Sequence, residues 1–168
     1  SSRFGGWQDA DGDRCNSRGE VLLAEATRAP TLRAGCRITG GKWYSRYDGV
    51  GTTVRARLAI EHLVPLAEAW QSGARNWAKR TRQRFTNDLG YRPSLNVATQ
   101  SVLRARGAAE PQRWLPPKVS VRCTYLAQWV AVKWRWRMKV DPGERRFLVR
   151  RLGRCGWPQV EQPARARR

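Results

Sequence analysis

Leu58-Ala59-Ile60-Glu61-His62-Leu63-Val64-Pro65 closes an apolar stretch on a carboxylate and on the only histidine of a 168-residue chain. Residues 53 to 60 interleave polar and apolar side chains, the period of a strand. This strand delivers Glu61 and His62 at its end, and Pro65 then permits a helix whose Leu66, Ala69 and Trp70 share one face before Gly73. Asn96 to Thr99 predicts a second short strand, followed by a helical or loop piece through Arg104 and Arg106. Neutral imidazole exchanges a proton near pH 7 without special tuning, so His62 is the first candidate for catalysis.

Charge sets the class of partner. Thirty-three Lys and Arg against thirteen Asp and Glu leave a net charge of +20, and the pI is about 11.5. Such an excess favours a polyanion. Lysine occurs only at positions 42, 79, 118, 133 and 139, so 28 of the 33 cations are arginines. Their planar forks grip phosphate in pairs of bonds and stack on bases, and nine tryptophans accompany them. A membrane partner is not expected, because no stretch approaches the roughly 18 apolar residues of a spanning helix and no basic amphipathic helix dominates.

Cys15, Cys36, Cys123 and Cys155 form an even set without a CxxC pair, which points to two disulfides in a secreted, extracellular protein rather than to zinc. Of the three possible pairings, Cys15 with Cys36 and Cys123 with Cys155 are preferred, since each closes a short loop within one end of the chain. The start at Ser1-Ser2-Arg3-Phe4 lacks an initiator Met and an apolar signal core, as expected of a mature exported chain.

Elsewhere the pattern predicts helices over residues 20–26, 76–89, 123–137 and 142–153, with the last two antiparallel and stapled by Cys123 and Cys155. Lys42 to Ser45 reads as an aromatic strand before the Asp48-Gly49 turn. Asp9-Ala10-Asp11-Gly12-Asp13 resembles the opening of a calcium loop, but is read as a tight turn capping the first helix. Pro111, Pro116 and Pro117 bracket Trp114 in a rigid connector.

Taken together, Glu61 to Trp70, Ser72-Gly73-Ala74, Asn87-Asp88-Leu89 and Pro111 to Pro117 resemble the secreted branch of the HNH endonucleases, members of the ββα-metal nuclease superfamily. Asp11-Gly12-Asp13 with Cys15, Gly41 to Tyr44 with Tyr47-Asp48-Gly49, and the two C-terminal cysteines extend the resemblance over most of residues 7 to 155. It implies an α+β fold: a small ββα nuclease core with additional helices, stapled by two disulfides. Residues 1–158 would form this domain and 159–168 a basic, mobile tail.

The resemblance also implies roles. Glu61 matches the acid that binds a divalent metal, and His62 the general base. Yet Ala59, Leu103 and Ala108 stand where the family carries Asp, Asn and Asp, while Arg106 preserves a positive charge. The favoured expectation is therefore metal-independent RNA cleavage, without a cofactor, by Glu61 and His62 as an acid–base pair. The RNA 2′-hydroxyl would be the nucleophile, and Arg104 and Arg106 would bind phosphate. One alternative is a metal-dependent endonuclease on DNA or RNA, holding Mg or Mn through Glu61 and a residue such as Asp88 or Glu110. The other is a degenerate module that binds nucleic acid without turnover.

Overall fold

The computed structural model describes residues 2–167. Its architecture is α+β, with six α-helices and three small antiparallel sheets among the described residues, stapled by two disulfides. Helix α1 (Ser17–Ala24) starts before the predicted position because Asn16 caps it, accepting from the Gly19 N–H at 3.2 Å. Three short strands follow, β1 (Ala26–Arg28), β2 (Thr31–Arg33) and β3 (Arg37–Thr39), then β4 (Lys42–Ser45) and β5 (Val50–Thr52). The sheets are β1-β4-β5 and a β2–β3 hairpin. Gly49, at φ +76°, supplies the left-handed turn between β4 and β5 that Asp48-Gly49 foretells.

Two strands carry the decisive stretch. β6 (Leu58–His62) pairs antiparallel with β7 (Leu95–Thr99), in the register Leu58 to Thr99 through Glu61 to Asn96 and His62 to Leu95. β6 begins later than predicted and ends later too. Residues 55–57 wind into a single 3₁₀ turn, tied by an Arg55 Nη1 bond to the Ile38 carbonyl at 2.6 Å, and pairing with β7 then carries the strand through His62. Between the strands run α2 (Leu66–Gln71) and α3 (Lys79–Thr86). α3 is shorter than predicted, since Trp77 and Ala78 are extended and Asn87 closes its end, donating to the Gln83 and Gly6 carbonyls. α4 (Gln100–Arg106) leaves β7 directly, capped by Thr99.

The C-terminal third matches its periodic pattern. α5 (Arg122–Arg135) and α6 (Pro142–Arg154) form the expected antiparallel pair, and Asp141 caps α6 by accepting from Gly143 and Glu144 N–H. Cys123 near the start of α5 joins Cys155 just past α6, and Cys15 joins Cys36. The segment expected as a mobile tail lies along α5: Ala166 N–H donates to the Arg135 carbonyl, Arg135 to that of Ala164, and the Arg165 guanidinium covers the Trp134 ring at 3.7 Å.

The β6–β7 ribbon divides two cores. Leu58, Ile60, Leu95 and Val97 pack with Val21, Leu22, Ile38 and the wholly buried Trp43. Burying an indole of that size is worth roughly 4–6 kcal/mol before entropy is counted. Ala98 and Val102 turn instead to a larger core built on Phe85, Tyr125, Trp129 and Trp136. The ribbon therefore has no solvent face along most of its length, and whatever its last residues carry is held rigidly from both sides.

Candidate functional site at the end of strand β6

Neighbouring strand residues point to opposite faces. Because β6 extends through residue 62, Glu61 and His62 part company. Glu61 turns to α4, where its carboxylate forms an ion pair with Arg106; His62 turns to the N-terminal segment and α3, with its ring on Trp7 and near Phe85. The two residues read from the sequence as one acid–base pair do not meet.

Glu61 and Arg106 are both buried, at 4% and 3% exposure. Arg106 also donates to the carbonyls of Leu63 and His62. Its guanidinium lies over three rings, Trp114 at 5.5 Å and Tyr125 and Trp129 at 5.7 Å. This aromatic wall excludes water, so the expectation that Arg106 faces a phosphate gives way to an inward role: it neutralises Glu61 and ties the end of β6 to α4. Arg104, two residues earlier, is exposed and donates to Gln100 Oε1 at 3.2 Å, so of the two arginines it is the one open to a phosphate.

His62 is partly buried. Its Nε2 lies 3.0 Å from the Thr86 carbonyl. A carbonyl can only accept, so Nε2 carries the proton, and in the neutral ring the Nδ1 lone pair remains as the proton acceptor. Trp7 stacks on the imidazole at 5.3 Å between centroids and 9° between planes. Burial pushes the His62 pKa down to about 4, opposed by the Thr86 hydrogen bond and by the Asp88 charge. The N-terminal segment that brings Trp7 here is fastened to α3: Thr86 Oγ1 donates to the Phe4 carbonyl, Asn87 Nδ2 to that of Gly6, and Gln8 N–H to Asn87 Oδ1. Trp7 and Thr86 escaped the sequence reading. Neither carries a motif, and 24 residues separate Thr86 from the histidine it orients.

A divalent ion needs several oxygen ligands. At Glu61 the neighbouring positions Ala59, Leu103 and Ala108 offer none, and the carboxylate already faces a guanidinium. The substitutes considered from the sequence lie elsewhere. Asp88 is held by both forks of Arg135 at 2.9 Å and accepts from Ser94 and Trp136, while Glu110 groups with Glu68 and Glu144. The residues around Glu61 do not fit a divalent metal. Asp9, Asp11 and Asp13 cluster as the predicted tight turn, with Asp9 accepting from Gly12 and Arg14 N–H, but the helix cap is Asn16.

Comparison with known proteins gives this geometry a context. A protein of Arthroderma benhamiae, described as an uncharacterized secreted protein, is 37% identical over 153 residues, covering 91% of this chain and 74% of the relative. No solved structure matches the chain. No helix among the described residues is long and apolar enough to cross a membrane. Two disulfides and a secreted relative place the chain among extracellular proteins. Residues 20–150, which hold β6, β7, α4 and both buried partners of the site, match a family model, and the chain belongs to the family of the C-terminal domain of GmrSD restriction endonucleases.

Proposed function

We propose that this protein is a secreted nuclease that cleaves RNA without a metal ion, with His62 as general base. The observation that carries the reading is the His62–Thr86 hydrogen bond, which fixes the tautomer that presents Nδ1 as the base. Membership of a restriction-endonuclease domain family supports phosphodiester chemistry, and the net charge of +20 suits a polyanionic substrate. The ligand-poor surroundings of Glu61 favour a nucleophile that needs no metal-bound water. RNA carries one in its 2′-hydroxyl, held beside the phosphorus at high effective concentration.

In the proposed step, Nδ1 takes the 2′-hydroxyl proton as the 2′-oxygen bonds to phosphorus. The bond from phosphorus to the 5′-oxygen breaks, and the departing oxygen is protonated by water. The products are a 2′,3′-cyclic phosphate and a 5′-hydroxyl. Arg104 is the candidate phosphate contact. Glu61 and Arg106 hold the strand end that aims His62 and transfer no proton themselves. A base of pKa about 4 is weaker than free imidazole, so its contribution falls near the lower end of the 10²–10⁴ range for general bases.

A parallel digestion of RNA, single-stranded DNA and duplex DNA, each with chelator or with magnesium, tests this. RNA is expected to be cut in excess chelator, leaving cyclic phosphate ends, and His62→Ala to slow cutting about 10²-fold. Cutting only with magnesium or manganese would overturn the metal-free mechanism. Salt-sensitive binding without cutting in any lane would favour a binding module, a reading that draws on the Trp7 ring covering His62.

A further inference from the structure

Along the outer edge of β7, a cavity of about 230 Å³ continues into a second of about 220 Å³, both lined by Glu25, Arg46, Asn96 and Gln128. The first is walled by Tyr125, which is 2% exposed and whose hydroxyl has no hydrogen-bond partner. Such a buried orphan is rare and marks a place where another polar atom belongs. Asn96 pairs with Glu61 across the ribbon, so its side chain lies on the Glu61 face and not on the face of His62.

The polar groups of this cleft are complementary to each other in kind yet unpaired with each other. Glu25, at the end of α1, is an acceptor when ionised; its Oε2 takes the edge N–H of Val97 at 2.7 Å, its second oxygen takes no hydrogen bond among the described residues, and burial raises its pKa against the opposing charges of Arg46 and Arg92. Arg46, just after β4, is a donor only. The two make no ion pair among the described residues, although they line the same space. The amides of Asn96 and Gln128 line the same space, and Asn96 Nδ2 already donates to the Pro93 carbonyl at 2.8 Å.

We infer that this cleft is a nucleobase pocket selective for guanine, the base that sets two adjacent N–H donors beside two acceptors. Its N1–H and N2–H face the Glu25 carboxylate, and its O6 and N7 face the Arg46 fork, the commonest specific arginine contact to a base. Adenine would turn the N1 lone pair toward the carboxylate, and pyrimidines lack the N7 acceptor. Arg92, exposed at the mouth of the second cavity, lies where the sugar-phosphate would leave. The inference rests on the nucleic-acid reading above, and supplies it with a base preference.

Direct binding separates the two. The intact protein is titrated with GMP, AMP, CMP and UMP while the Val97 amide resonance is followed, because that N–H is bonded to Glu25. GMP is expected to shift it and to bind at least about tenfold more tightly than the others. Glu25→Gln, whose carbonyl oxygen still accepts from Val97, is expected to weaken GMP about tenfold or more with an unchanged melting curve; Arg46→Met should act likewise. Equal affinity for the four nucleotides, or GMP binding indifferent to Glu25→Gln, overturns the inference. RNA cutting with no guanine preference overturns it while the ribonuclease reading stands. GMP binding that depends on Glu25 in a protein that cuts no RNA upholds the pocket and overturns the ribonuclease.

Discussion

Two of the buried charge clusters beside the larger core differ in how many carboxylates one cation serves. Lys133, 1% exposed, donates to Glu144 at 2.6 Å, to Glu68 at 2.8 Å and to Ser72 at 2.9 Å, while Trp129 and Ser72 complete the two carboxylates. Burial raises the Glu144 pKa and the Lys133 ammonium opposes the shift. In the Glu61–Arg106 pair, by contrast, one guanidinium serves one carboxylate and gives further bonds to the Leu63 and His62 carbonyls. A buried carboxylate with several polar partners keeps some of them when one is lost, whereas one with a single partner keeps none. The Lys133 cluster joins α2, α5 and α6, and the Glu61 pair ties the end of β6 to α4.

The largest test removes the Lys133 ammonium. Lys133→Met leaves two carboxylates without their cation and is expected to lose about 5 kcal/mol of unfolding free energy in a denaturant titration, the upper end of the range for a broken buried pair. Arg106→Met strands one buried carboxylate rather than two and is expected to lose about 3 kcal/mol. Equal losses would show that the number of stranded carboxylates does not set the cost. Turnover separates the two further: at a temperature where both variants remain folded, Arg106→Met should lower kcat and Lys133→Met should leave it near wild type.

The smallest effect lies beside the Glu61–Arg106 pair, at His62. His62 has a pKa of about 4 when folded and about 6.5 when unfolded. The unfolded chain therefore binds more protons between those values, so this contribution is complete above about pH 6.5 and is lost as the pH falls toward 4. On the order of 2 kcal/mol should disappear over that window after allowance for partial exposure. His62→Gln should remove that share of the slope. The same ionisation places the acid limb of kcat/KM near pH 4; a limb near 6.5 would show a solvated histidine and a Trp7 contact that does not persist in solution.

Much of the fold follows from local signals. The apolar spacing of Leu126, Trp129, Val130 and Trp134 yields α5, Asp141-Pro142 starts α6, and the cysteine positions give both disulfides. Boundaries failed where a single remote contact intervened: Arg55 reaching the Ile38 carbonyl holds the 3₁₀ turn that shortens β6 at its start, and Asn87 bonding to Gly6 closes α3 early. Contacts of residues 164 to 166 with α5, among them Arg165 over the Trp134 ring, likewise carry no local signal.

At the site the division is sharper. Sequence alone determined that this chain has one imidazole, placed after a carboxylate at a strand end, and that Ala59, Leu103 and Ala108 offer no oxygen to a metal. Tertiary structure decided what each side chain does. Pairing with β7 carried the strand through His62, and alternation then sent Glu61 to a guanidinium and His62 to a tryptophan. Residue types are local, but proton affinity and tautomer depend on burial and on partners that long chain separations bring together. The Thr86 carbonyl that fixes His62 is 24 residues away, and the Leu63 carbonyl that anchors Arg106 is 43 residues from it.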